Sequence, residues 1–205
     1  MSPFYFKLTR IAGVAALLGA SVPLSATTLR FDELPFQPVN GLKIWGVTFG
    51  FEVGGVASDD ASYNALGPGT LTYLDDPVLE GDAAGILSMT FSERATDISF
   101  GLSLISFASV DPAALVSLYD DSNNLVFQYT VATEPLVSWT EGLAWSSFGP
   151  IRKAVVEFNS AEASRFAIDN LTYTLVPDAG SLWAVTSWAS VLGLLAMRRL
   201  TRNSG

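Results

Sequence analysis

No cysteine and no histidine occurs anywhere in the 205 residues. Without thiols the chain forms no disulfide, no thiolate metal site and no cysteine nucleophile. Without imidazole it lacks the general base of a Ser-His-Asp arrangement. Missing disulfides do not argue against export, since many bacterial envelope proteins do without them. Basic residues are scarce too: 11 Lys and Arg stand against 20 Asp and Glu, a formal net charge of −9. Lys7, Arg10, Arg198, Arg199 and Arg202 lie in the terminal segments, so residues 27–176 keep six basic against 19 acidic side chains, a net −13. A body that acidic is repelled by nucleic acid and anionic lipid and suits solubility or cation binding. Nucleic acid is therefore not an expected partner. The length leaves room for one domain plus terminal signals.

What the chain does have at its ends is apolar and basic. Lys7 and Arg10 flank the apolar run Ile11–Ala20, Pro23 breaks any helix there, and Ala26 offers a small residue for cleavage. That order is the layout of a secretory signal peptide over residues 1–26, cut by signal peptidase so that the mature chain starts near Thr27. Leu24 is bulky for its place before such a cut, and an uncleaved N-terminal anchor is the alternative. Near the other end, the uncharged run Leu182–Met197 is followed by Arg198, Arg199 and Arg202. As a transmembrane helix it would extend about 24 Å at ~1.5 Å per residue. That is slightly short of a ~30 Å hydrocarbon core, a gap that snorkelling arginines and local thinning cover. The arginines would stay cytoplasmic and leave the acidic body outside. A buried helix of a soluble domain is the competing account, and the terminal position and basic stop speak against it.

The order of Val176-Pro177-Asp178-Ala179-Gly180, the helix Leu182–Met197 and Arg198-Arg199 resembles the PEP-CTERM sorting signal of exported bacterial proteins. Pro-Asp-Ala-Gly replaces the usual Pro-Glu-Pro and looks like the VPDAG/VPDSG variant. The resemblance covers residues 176–205: motif 176–180, helix 182–197 and basic tail 198–205. It implies an exosortase-like membrane peptidase as partner, a membrane-anchored precursor, removal of the tail, and delivery to the cell surface or extracellular matrix.

Between the signals, residues 27–175 read as strands. Val47, Phe49, Phe51 and Val53 alternate with Thr48, Gly50 and Glu52, the period of a half-buried strand. "GILSMTFS" (85–92) and "DISFGLSLIS" (97–106) do the same, with Leu87, Met89, Phe91 and then Ile98, Phe100, Leu102, Leu104 on one side. "LVSLYDDSNNLVFQYTV" reads as two strands around the turn-rich Asp120–Asn124, and "KAVVEF" and "RFAIDNLTYTLV" complete the set. There is no internal repeat, low-complexity tract or amphipathic helix of useful length. Short alternating strands with Gly-, Pro- and Asp-rich connections point to an all-β ectodomain, an antiparallel β-sandwich of the jelly-roll kind. Within the last strand Phe166 and Ile168 share one parity and Leu171, Tyr173 and Leu175 the other. Either a bulge sits near Asp169-Asn170, or the strand is buried on both faces. "LRFDELPFQPVNGLKIWGVTFGF", "VSLYDDSNNLVF" and "FAIDNLTYT" resemble the opening strands, middle hairpin and closing strand of jelly-roll domains in sorted exported proteins. That resemblance implies a fold and no catalytic residues.

The candidate chemistry is sparse. Asp32 follows the first strand and Asp169 lies in the last, and first and last strands of a jelly roll lie close together. The two carboxylates could share a calcium ion, which takes six to eight oxygens at ~2.3–2.6 Å, or they could simply accept turn amides. Asp59-Asp60, Asp75-Asp76 and Asp120-Asp121 lack EF-hand spacing and read as solvated turns. Trp45, Trp139 and Trp145 could stack on sugar rings, with "SWTEGLAWSSFGP", which holds Trp139 and Trp145, the foremost loop for it; or Trp145 and Phe148 could plug the end of the sandwich core. The sequon Asn170-Leu171-Thr172 is read as accidental. No catalytic motif is seen, so an enzyme is not expected. A glycosidase needs only two carboxylates, but no motif marks a pair among the 19. The leading expectation is a sorted envelope or matrix protein with a structural or adhesive β-sandwich. The alternatives are a module binding extracellular polysaccharide and, less favoured, a polysaccharide hydrolase.

Overall fold

The computed structural model describes residues 25–176. The expected signal helix, the sorting motif beyond Val176, the membrane helix and the basic tail lie outside the described residues. Within them the regular elements are all strands, and no helix is long and apolar enough to cross a membrane. The strands are β1 (Ala26–Leu29), β2 (Gln37–Pro38), β3 (Lys43–Ile44), β4 (Val47–Val53), β5 (Val56–Ala57), β6 (Ser62–Ala65), β7 (Val78–Asp82), β8 (Gly85–Leu104), β9 (Val110–Tyr119), β10 (Leu125–Pro135), β11 (Thr140–Ser146), β12 (Ile151–Phe158) and β13 (Arg165–Val176). The all-β expectation holds.

β8 organises the rest. The two alternating stretches that read as separate strands are one strand of 20 residues. Its first half pairs with β4 on one side and β12 on the other; its second half pairs with β13 and β11. The inward-facing residues change from odd (Leu87, Met89, Phe91) to even numbers (Ile98, Phe100, Leu102, Leu104) across this junction. Such a change needs an extra residue, because a strand's side chains alternate strictly. Asp97 takes it up with φ 54°, and the β12 register jumps between Ile151↔Ala95 and Lys153↔Thr90. "SERATD" holds no Gly or Pro to turn the chain, so the strand bends instead of ending.

Two layers follow, antiparallel throughout. One runs β5-β4-β8-β12-β9-β10; the other runs β2-β6-β7-β13-β8-β11, with β1 on the C-terminal part of β13. Aromatic contacts join the layers through the core. Phe166 of β13 stacks on Phe158 of β12 at 3.7 Å between centroids and meets Phe51 of β4 at 5.9 Å. Phe91 of β8 packs on Tyr173 of β13 at 5.3 Å. The β9–β10 hairpin is closed by Asp120, whose Oδ1 accepts the amides of Ser122 and Asn124 at 2.8 and 2.9 Å. Asp60 accepts the Asp82 amide and pairs with Arg165 at 2.8 Å. Both acids thus act as turn and loop anchors.

Phe166 is fully buried where both layers meet. Phe166→Ala should therefore cost about 3–5 kcal/mol of stability, the range for emptying a buried aromatic site, read as a lowered urea midpoint. Phe166→Leu should recover much of it.

Candidate functional site

The split of β8 between layers forces a second split. β10 stays with β9 in the first layer, while β11 pairs with the second half of β8. The two strands touch only at Glu134↔Glu141 and Pro135↔Thr140. Gly142 allows that close end: a Cβ there would stand 2.3 Å from the Ala132 carbonyl oxygen. From this hinge β10 and β11 diverge, and a cleft of about 380 Å³ opens between them, lined by Phe127, Tyr129, Trp145, Ser146, Ser147 and Phe148.

The cleft walls are aromatic and exposed. Trp145 is 62% exposed, and Phe127 and Phe148 are each 40% exposed. Phe127 and Phe148 stack nearly parallel, with centroids 5.0 Å apart and planes at 9°. Buried Ser146 sets Phe148 in place by accepting its amide on Oγ at 3.0 Å. Tyr129 packs beside Phe127 at 5.9 Å, and its hydroxyl is buried without a hydrogen-bond partner. Burial pushes this phenol up to about 12, so it is a neutral donor at any ordinary pH. Leaving such a hydroxyl unpaired costs on the order of 1–3 kcal/mol.

The two tryptophans singled out from the sequence have different surroundings. Thr140–Ser146 alternates buried and outward positions, so odd-numbered residues face out. Trp139 lies about 20 Å from Trp145 along the strand at ~3.3 Å per residue. Trp139 is half-buried and packs against Leu74, Val78 and Ala167, away from the cleft. Trp145 and Phe148 do not plug the core; they line the cleft. Phe127 and Tyr129 carried no expectation as site residues. Their available signal was the apolar run Leu125-Val126-Phe127 beside the Asn-rich turn, where a half-buried strand should alternate.

The carboxylate candidates sit elsewhere, over the second layer. The expected bulge is present: β13 shifts register between Asp169 and Thr172, and Asn170 has φ 52°. Asp169 is 1% exposed. Its Oδ2 accepts the Asp75 amide at 2.9 Å and the Asn170 side-chain amide at 3.1 Å, while Oδ1 is buried with no partner. Burial, and then the charges of Asp75 and Asp32, push its pKa up to about 6, against the opposing pull of the amides of Asp75 and Asn170. β1 pairs antiparallel with β13 over Leu29↔Leu171, and the charge of Asp32 acts on Asp169. Among the described residues no three His, Cys, Asp or Glu side chains form a metal cage. Asn170 of the sequon is committed inward, donating to the Tyr73 carbonyl at 3.0 Å.

The loop carrying Tyr73 and Asp75 lies directly on Gly101, where a Cβ would come 2.2 Å from the Tyr73 carbonyl oxygen. Gly101→Ala should lift this loop off Asp169 and cost about 1–3 kcal/mol, as overpacking does. Faster hydrogen exchange at Tyr73–Asp76 together with a lower Tm would show it.

The sequence matches no protein-family model and no curated relative. Among solved structures it is similar to a carbohydrate-binding module of family 29, with 12% identity, a TM-score of 0.40, and 75% of this chain and 90% of that one covered. A family 29 module complexed with cellulohexaose matches at 11% identity and TM-score 0.38, covering 75% and 93%. The tailspike protein 4 of bacteriophage CBA120 matches at 15% identity and TM-score 0.34, covering 67% of this chain and 22% of that one. Similarities this distant assign no ligand to this chain.

Proposed function

We propose that this chain is an exported glycan-binding protein, built on a jelly-roll variant, that holds polysaccharide in the cleft between β10 and β11. The observation that carries this is the exposure of Trp145, Phe127 and Phe148 around one concave site. Apolar surface of that size is normally buried, and its clustering in a groove marks a binding site. Sugars suit it because a pyranose ring has an apolar C–H face for stacking and a polar rim. Ser146 and Ser147 supply the polar complement. The volume falls in the ~300–1,000 Å³ range of ligand clefts. The lining holds no carboxylate, whereas glycoside hydrolysis needs two flanking the bond; binding is therefore the favoured chemistry here.

The connectivity supports the fold part of this proposal. The order β1-β13-β8-β11 is that of one jelly-roll sheet, and the facing sheet differs by the insertion of the first half of β8 between β4 and β12. Export and sorting rest on the terminal signals alone: the signal peptide over 1–26 and the motif Val176–Gly180 with Arg198 and Arg199. In a host with an exosortase the mature protein should lack residues beyond roughly Gly180, by mass spectrometry of the envelope fraction. An intact Gly205 there would leave a plain membrane anchor.

Glycan-array screening followed by calorimetry on the best oligosaccharide tests the cleft. Trp145→Ala should weaken binding at least about tenfold, near 1.4 kcal/mol, with unchanged thermal stability. Tyr129→Phe should keep or raise stability, because an unpaired buried hydroxyl is removed, and leave binding unchanged. Undiminished binding by Trp145→Ala would remove the cleft from consideration.

A further inference from the structure

Every glycan offers C–H faces to stack on, so the aromatic walls of the cleft do not choose among polysaccharides. Charge does. The lining consists of four aromatic side chains and two serines, with no acidic or basic group. The strands that form it carry acids at both ends. Glu134 and Glu141 stand opposite each other where β10 and β11 join. At the Trp145 end, Ser146 pairs with Ile98, and the residue preceding Ile98 is the exposed Asp97. The basic side chains of the domain are held by other partners. Arg94 and Arg152 share Asp121 at 2.7 and 3.2 Å, Arg165 pairs with Glu80 and Asp60, and Lys153 lies over the Tyr119 ring at 5.8 Å. The remaining two, Arg30 and Lys43, follow β1 and open β3, strands that pair with β13 and β4.

We infer that the cleft selects neutral polysaccharide, a sugar polymer free of carboxylate, sulfate and ammonium groups, and rejects its acidic counterparts. The inference rests on the glycan reading of the cleft and names the class of polysaccharide taken there. A uronate or sulfate seated against these rings loses water with no cation to replace it, the costly case of an unpaired charge. It also approaches a body of net charge −13 over residues 27–176, which repels it within a Debye length of ~8 Å at physiological salt. An ammonium sugar finds no carboxylate in the lining either; the acidic surface attracts it without seating it in the cleft. Neutral hydroxyls meet neither penalty. Ser147 is exposed at the rim, and a serine hydroxyl both donates and accepts, as a sugar hydroxyl does.

Calorimetry on the purified full chain with matched hexasaccharides tests this. The pairs are glucose and glucuronate, mannose and mannuronate, galactose and galacturonate, each differing only in oxidation of the exocyclic carbon. A glucosamine hexamer is the cationic probe. At least one neutral hexamer should bind, and its uronate partner should bind at least about tenfold more weakly, since like-charge juxtaposition is costly. Raising salt from about 0.1 M to about 1 M shortens the Debye length from ~10 to ~3 Å. The neutral Kd should stay within about twofold across that range, because screening acts only on charges. Trp145→Ala should weaken the neutral hexamer. Ser147→Arg, which places a cation at the rim, should raise uronate affinity severalfold at low salt and lose that gain at high salt. Glucosamine hexamer binding should ignore Trp145→Ala and disappear at high salt. A uronate or glucosamine hexamer that binds as tightly as its neutral counterpart, and is weakened by Trp145→Ala, overturns neutral selection while the cleft reading stands. If no hexamer binds in a Trp145-dependent way, the cleft reading falls and neutral selection with it.

Discussion

One strand serving two layers is the constraint from which the rest of this structure follows. β8 lends its first half to the sheet containing β4 and β12 and its second half to the sheet containing β13 and β11. A strand can do this only if its inward face is re-phased where it passes from one sheet to the other, and the left-handed residue Asp97 does so. The layers are then joined by backbone as well as by the Phe51–Phe166–Phe158 contact. The consequence at the edge is the cleft. Since β10 belongs to one layer and β11 to the other, they part beyond their short contact, and the side chains at the parting have no facing strand to cover them. Trp145, Phe127 and Phe148 are exposed for that reason, and not because the core is badly formed.

The second irregularity works in the same way. A bulge in β13 lets residues of opposite parity, Ile168 and Leu171, both reach the core. The residues between them are released from the alternation, and Asp169 turns under the loop anchored at Gly101. In both places a break in the pleat frees side chains that regular pairing would have fixed. The aromatic break is apolar and open; the acidic break is polar and closed.

Much of the fold was legible because alternation is a local property. Val47–Phe51, Leu87–Phe91, Ile98–Leu104 and the hairpin at Asp120 all show it, and all are buried or turned as the pattern requires. The β13 bulge was legible from parity alone. The same parity change between Phe91 and Ile98 was available but read as a gap between strands, since six polar or small residues separate the two runs. The site was harder to see. Trp139, just before β11, and Trp145 within it share one parity, and only packing against Leu74 and Val78, which are distant in sequence, decides that one is half-buried and the other exposed. The pairing of Phe127 with Phe148 depends on how β10 and β11 diverge, a tertiary outcome that no local pattern encodes. The adjacency of first and last strands was read correctly: β1 pairs with β13 over Ala26–Leu29 and Leu171–Thr174.

The central claim is that ligand contact is made at the parting of β10 and β11. The side-chain indole resonances of Trp45, Trp139 and Trp145 report on three separate environments: Trp45 exposed with φ 44° on the β3–β4 turn, Trp139 under its loop, Trp145 in the cleft. Heteronuclear NMR during titration with the oligosaccharide that binds best measures all three at once. The account predicts that the Trp145 resonance moves to saturation while Trp45 and Trp139 stay in place. A stationary Trp145 with a shifting Trp45 or Trp139 would contradict it.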